Sequence, residues 1–482
     1  MHNNQVNTSS SGADHLLLTK KNKDQNKSLR SSMAKQSFVQ PAQLGEKVGV
    51  FGAMLTIVGT IIGGGIVGIP YATLQTGIWL VLIVHFLNFL MGIYSVHLLI
   101  EAKNISGLAS FSELGFYCFG RTSIFIINAL IVIAQCGMPI VYFMIIGDIG
   151  QGLLGKISGT DGTVWGSKQF PILVVALLLF YFAIKKEIQE LKSAGFVLLS
   201  GVILFIIAMI ILVLTKGTSD SYNFTVISKP KFSIKMVANI PTIFLAYGFQ
   251  SAFFPAYSSL KNKTDANGMK ATIASFTFCA VVYVAISIVA LLKFGTELEG
   301  NVLNNVSHLD GWLSIVIDFV FLIIAMMHIP IVLFVGKEAF LIIIDEATRR
   351  SYSQKPRMTI DQAYNLRDSH VLRKDELDSE GKAYLNMNPL VFYGVSVGLY
   401  CVIVTAACLL KDITLVFGII GSIAASYLIF LAPSQFYLRS IQLEEAEVPF
   451  GRKLAAWVFM ILGFIIMFVC LFSTIYVAAK GE

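Results

Sequence analysis

Eleven apolar stretches, most of them at or above the roughly 20 residues that cross a hydrocarbon core, lie between residues 48 and 478. They fall at 48–73, 76–100, 122–153, 169–184, 191–215, 236–257, 270–292, 311–336, 388–410, 413–437 and 454–478, the fourth being the shortest. Hydrophobic residues make up 55% of the chain, charged residues 13%, and the mean hydropathy is +0.73, more than a soluble core requires. Inside a bilayer each backbone polar group must be paired within its own segment, so these stretches predict helices. The expected fold is an all-α integral membrane protein of 11 transmembrane helices over residues 47–482.

Residues 1–46 differ in kind. They are polar, rich in Asn, Ser and Lys, and lack the apolar core of a signal peptide, which predicts a disordered tail. If that tail is cytoplasmic, about three-quarters of the 36 Lys and Arg fall on its side, as the positive-inside rule expects. The N-terminus is therefore placed in the cytoplasm and, with 11 spans, the C-terminus outside the cell or in a lumen. The net charge of +7 follows from this bias and suits a lipid surface, so no nucleic acid partner is expected. All six cysteines lie in spans or on the cytoplasmic side, leaving no external disulfide. Asn-x-Ser/Thr sequences in expected external loops make Asn223 and Asn305 the glycosylation candidates.

Two loops on the cytoplasmic side stand out. The one at about 337–387 carries mixed charge and reads as part helix, part connector, with a solvated linker and a regulatory surface both open. The segment SFSELGFYCFGR at 110–121 reads as an amphipathic stretch at the interface.

The first span contains GTIIGGGIVGIPYA at 59–72, three consecutive glycines followed by Gly68 and Pro70, all of which weaken a helix. The sixth repeats the peculiarity in IPTIFLAYGFQSAFFPAYSSL, 240–260, and both close on a similar tail, PYATL in one and PAYSSL in the other. Glycine runs also allow close helix packing. Paired interruptions at corresponding places in two halves point instead to a substrate site near the midplane, built from half-helix ends. Freed N–H groups at a half-helix start favour a carboxylate, and freed carbonyls an ammonium or other cation. A zwitterionic amino acid presents both.

Polar residues at useful depth are few: Gln135, Tyr247, Gln250, Ser251 and His328. His328 is either a neutral histidine bonded within the bundle or a proton-carrying, substrate-facing one. Asp148 and Asp318 lie nearer the outer ends and are expected to be wetted from outside.

At this point the residues carry a resemblance. GTIIGGGIVGIPYATLQTG in the first span, the sixth-span ending FPAYSSLKN and DITLVFGIIGSIAASYLIFLAPSQFYLR in the tenth are together similar to the amino acid/auxin permease family. MHIPIVLFVGKEAF and SFSELGFYCFG support the likeness, which runs from Gly45 to the last span. That family includes the system A and N, proton-assisted and vacuolar amino acid transporters. The resemblance implies a LeuT-like five-plus-five inverted repeat of the APC superfamily, with broken helices one and six and an eleventh helix. It implies secondary active transport by alternating access. Substrate contacts carried over by position are Thr60, Ile61, Ile62, Gly63, Gly64 and Gly65, then Phe244, Ala246, Tyr247 and Gln250. Gln135 and Met327 complete the expected binding set. In the sodium-coupled branch an Asn stands where Gly59 falls and a Thr near the position of His328, so Gly59, Thr60 and His328 are the ion-coupling candidates and H+ is favoured over Na+.

The expected activity is ion-coupled symport of small neutral L-amino acids, without a cofactor or metal, by a chain that functions as a monomer. An enzyme is not expected, since no metal-ligand cluster, nucleophile triad or phosphate loop is visible. The alternative is an amino-acid-binding sensor that signals through its tail and loop. Asp14-His15-Leu16-Leu17 only loosely resembles an acidic dileucine signal, so plasma membrane and vacuolar or lysosomal membrane both stay open.

Overall fold

The computed structural model describes residues 47–158, 166–186, 191–351, 353 and 385–480. The expected tail, its dileucine-like motif and most of the 337–387 loop lie outside these residues. Within them the chain is helical: α1 (Val50–Ile61), α2 (Gly65–Thr76), α3 (Ile78–Ser106), α4 (Phe111–Phe119), α5 (Arg121–Ser158), α6 (Gln169–Ile184), α7 (Leu191–Lys216), α8 (Phe224–Ser228), α9 (Ile234–Ala246), α10 (Phe253–Ser259), α11 (Asp265–Phe294), α12 (Val302–Ser307), α13 (Trp312–Thr348), α14 (Pro389–Leu409), α15 (Ile413–Ile420), α16 (Ala432–Leu443) and α17 (Phe450–Lys480). Nine helices among the described residues are long and apolar enough to cross a membrane. A bent pair, α1 with α2, and the short apolar helix α6 fall on the remaining windows marked in the sequence.

Helix ends are set by local chemistry. Ser233, Thr264, Asn388 and Asp412 cap α9, α11, α14 and α15 through side-chain oxygens, each satisfying a backbone N–H that a helix start leaves free. Gly77 sits between α2 and α3 at φ 85°, a conformation open mainly to glycine, with the Lys229 carbonyl packed where a side chain would be. The amphipathic stretch expected at 110–121 is the helix α4, with Phe111, Leu114, Phe116 and Cys118 turned inward.

The eighth span is longer than its sequence window. α13 runs on to Thr348, so Lys337 does not open a solvated loop but is 2% exposed within the helix. Its Nζ donates to the carbonyls of Ala183 (2.9 Å) and Lys185 (2.6 Å), which satisfies carbonyls left free at the end of α6. Asp318 likewise departs from expectation. It is fully buried because α12 folds over it, and both carboxylate oxygens accept from Ser307 Oγ at 3.0 Å. Asp148 pairs with Lys168 and accepts from Asn301 Nδ2 at 3.0 Å.

Spans one and six are joined at both ends by backbone hydrogen bonds. At one end Val48 N–H donates to Ser259 O (2.9 Å) and Lys261 N–H to Val48 O (2.8 Å). At the other, Lys231 N–H donates to Thr76 O (3.1 Å). α5 and α13 form the most extensive helix pair and bring the third and eighth spans against this broken pair.

Candidate functional site

The first span breaks at Ile62-Gly63-Gly64, where the axes of α1 and α2 diverge by 67°. None of the three glycines takes a positive φ. Their absent side chains serve close approach instead: a Cβ on Gly63 would strike Tyr142 Oη, one on Gly64 would meet the Tyr142 ring at 3.3 Å, and one on Gly65 would lie 2.8 Å from Ala246 Cβ. The sixth span is interrupted between α9 and α10, where Tyr247, Gly248 and Phe249 lead into a single 3-10 turn, Gln250–Ala252. Gly65 against Ala246 is the point at which the two interruptions touch.

Backbone donors come from the break in the first span. Gly64 N–H donates to Tyr142 Oη at 2.6 Å, and the N–H groups of Gly63 and Gly65 have no hydrogen-bond partner among the described residues. Tyr142 is fully buried, and its ring stacks on His328 with centroids 5.2 Å apart at 24°. Backbone acceptors come from both spans. The carbonyls of Ile61, last residue of α1, and Ala246, last of α9, both accept from Tyr283 Oη, at 3.1 and 2.8 Å. Tyr247 packs edge-on against Tyr283 at 5.2 Å, and its hydroxyl lies 2.9 Å from His85 Nδ1.

Of the residues expected from sequence, Ile61, Ile62, Gly63, Gly64, Gly65, Ala246, Tyr247 and His328 are brought together and buried. Phe244 is buried beside them, edge-on to Phe430 at 5.5 Å. Phe430 lies in a π-helical stretch of the tenth span, a wide-turn geometry common at functional sites. Gln250 is 1% exposed, and its Oε1 accepts from Phe249 N–H at 3.0 Å.

Three expected contacts lie apart from this cluster. Met327 is 37% exposed on the outer face of α13, because adjacent helical residues point about 100° apart and His328 takes the inward position. Thr60 is exposed for the same reason, with Ile61 inward, and its hydroxyl bonds back to Thr56 O at 3.0 Å. Gln135 sits about 10 Å along α5 from Tyr142, at a level where its backbone packs on Gly336. Gly59 is half-buried one turn before the break. Tyr142, Tyr283 and His85 were not singled out from sequence. The signal available was a tyrosine in mid-span, whose hydroxyl needs a partner that lipid cannot give.

A family model described as transmembrane amino acid transporter protein matches residues 46–477. The chain belongs to this family. The transporter is 22% identical over 444 residues to amino acid transporter AVT6E of Arabidopsis thaliana, covering 89% of this chain and 83% of the relative. It is also 22% identical over 432 residues to sodium-coupled neutral amino acid symporter 2 of Danio rerio, covering 84% of this chain and 78% of that protein. As the family and both relatives are transporters, the protein is not an enzyme. The resemblance drawn from the first, sixth and tenth spans is thus the family to which the transporter belongs.

Proposed function

We propose that this transporter carries small neutral L-amino acids by ion-coupled alternating access, with the substrate held between the two interruptions. The observation that carries the reading is that the N–H groups of Gly63 and Gly65, without a partner among the described residues, lie at the same buried break as the carbonyls of Ile61 and Ala246, which share one hydroxyl. The α-carboxylate is received by the N–H groups of Gly63 to Gly65 at the start of α2, where the helix dipole favours an anion. The α-ammonium is received by the carbonyls of Ile61 and Ala246. Phe244 and Tyr247 form an apolar, aromatic wall that suits an uncharged side chain. Corresponding interruptions in spans one and six support the five-plus-five inverted repeat. One chain carries both halves, which suits a monomer. His328, against the Gly63 backbone, is the candidate proton carrier, and the cytoplasmic N-terminus follows from the basic side.

Labelled amino acids offered to proteoliposomes under an imposed pH gradient, and separately under a sodium gradient, test this. Accumulation under the pH gradient is the expected result. Accumulation under sodium alone moves the coupling away from His328, and binding without accumulation under either gradient replaces the transporter with a sensor.

The two sequons are unequal. Asn223 is exposed and caps α8 through Oδ1, whereas Asn305 is half-buried with Nδ2, the atom a glycan would use, donating to Glu297 O at 3.0 Å. In a glycosylating host, Asn223→Gln is expected to remove the glycosidase-sensitive gel shift and Asn305→Gln to leave it. A shift lost only with Asn305→Gln contradicts this assignment.

A further inference from the structure

Tyr283 stands in the middle of α11 with no exposed surface. Its single hydroxyl proton is presented to two carbonyl oxygens, Ala246 O at 2.8 Å and Ile61 O at 3.1 Å. Both oxygens end half-helices, so neither has the N–H four residues on that would pair it inside a continuous helix. Each also carries the negative end of a helix dipole, and the two converge. A phenol can serve one of them well at a time. An ammonium with three N–H groups, or a metal cation with no directional demand, serves both.

We propose that the Tyr283 hydroxyl is an internal stand-in for the cationic group of the cargo, keeping these two carbonyls paired while the carrier is empty. The inference rests on the transporter reading above and deepens it. In a coupled cycle the empty carrier must return through a closed form, and two unpaired buried carbonyls would oppose that return. Tyr283 removes the obstacle, and it must then be displaced each time the cation arrives. The same hydroxyl therefore speeds return of the empty carrier and weakens binding of cargo.

The two consequences separate in Tyr283→Phe, which keeps the ring and removes the proton. Exchange of labelled for unlabelled amino acid does not need the empty carrier to cross, whereas net uptake does. In proteoliposomes of the full chain, Tyr283→Phe is expected to lower the KM of exchange by about three- to tenfold while reducing maximal net uptake by a similar factor. Parallel loss of exchange and net uptake, or no change in either, overturns the proposal. Two competition arms identify the cation. If it is the substrate's ammonium, the gain is seen for the amino acid and not for the carboxylic acid lacking the amino group. If it is sodium, the half-saturating sodium concentration falls instead, and a gain in neither overturns the proposal.

Where Tyr283→Phe does not fold, difluorotyrosine at 283 gives the opposite test. Its stronger donor in nearly the same shape is expected to raise the KM of exchange, and an unchanged or lower KM overturns the proposal. Absence of any amino acid uptake by the wild-type chain removes the transporter reading and this inference together. Wild-type uptake with parallel effects of Tyr283→Phe removes only the inference.

Discussion

Replacing Gly63 with alanine is expected to reduce the apparent affinity for amino acid on the order of 100-fold, with the protein still folded. The added methyl would occupy the place of Tyr142 Oη and come within 3.2 Å of His328 Cε1. Tyr142 has no exposed surface and lies flat against His328, so the ring has no open space into which to retreat. The hydroxyl is driven off Gly64 N–H. The forced shift displaces the N–H groups proposed to receive the carboxylate, and each charge-assisted bond so lost costs about 1.5–3 kcal/mol. Gly398→Ala is the control, since a Cβ there meets nothing within 4 Å and alanine suits a helix better than glycine. Uptake kinetics with thermal unfolding in detergent check the result, and an unchanged KM in a folded Gly63→Ala protein would take the site away from this break. Because Tyr142 is the atom struck, adding Tyr142→Phe to Gly63→Ala should cost less than the two single changes predict together.

Arg121→Ala is expected to lower stability by about 3 kcal/mol, seen as a lower unfolding temperature in detergent. Arg121 at the start of α5 reaches Glu346 near the end of α13, with Nε 2.5 Å from the carboxylate and a second nitrogen 2.7 Å from the Glu346 carbonyl. Glu346 is completely buried, and its other oxygen accepts from Ser353 N–H at 2.9 Å. Removing the arginine leaves a buried carboxylate without its counter-charge, the case in which breaking an ion pair is most costly. Glu346→Gln with Arg121→Ala should recover part of the loss, since the amide needs no counter-charge. If Arg121→Ala unfolds at the wild-type temperature, the pair is not a structural lock. The effect extends to the site, because α5 carries Tyr142 and α13 carries His328, and their stacking depends on the register of this pair of helices.

What the sequence made legible was whatever depends on neighbours in the chain. Apolar length marked the helices, and glycines with proline marked the interruption in the first span. Both residues that complete the site depend on distant partners. Tyr283 reaches a carbonyl 222 positions away, and Tyr142 a backbone nitrogen 78 positions away. Nothing local distinguishes these tyrosines from others in apolar runs. The same reason hides the burial of Lys337. Lys337 reads as the first charge of a loop, because the two carbonyls that allow its burial belong to the fourth span. Met327 and Thr60 lie apart from the break for another reason. Position along a span is legible in the chain, whereas helical phase turns each of these residues away from the neighbour that faces the break.

The bonds that join spans one and six at their ends are made by backbone atoms, at Val48 with Ser259 and Lys261 and at Thr76 with Lys231. Apart from proline at a donor position, side-chain exchange leaves them in place. Mechanically the two broken helices form a closed four-bar frame whose hinges are the interruptions at Gly63 and Tyr247. A swing of α1 would therefore drag α10 with it, and a swing of α2 would drag α9. In the proposed cycle, tilting at one hinge would be transmitted to the other through the frame itself, so the donors and the acceptors would move in step.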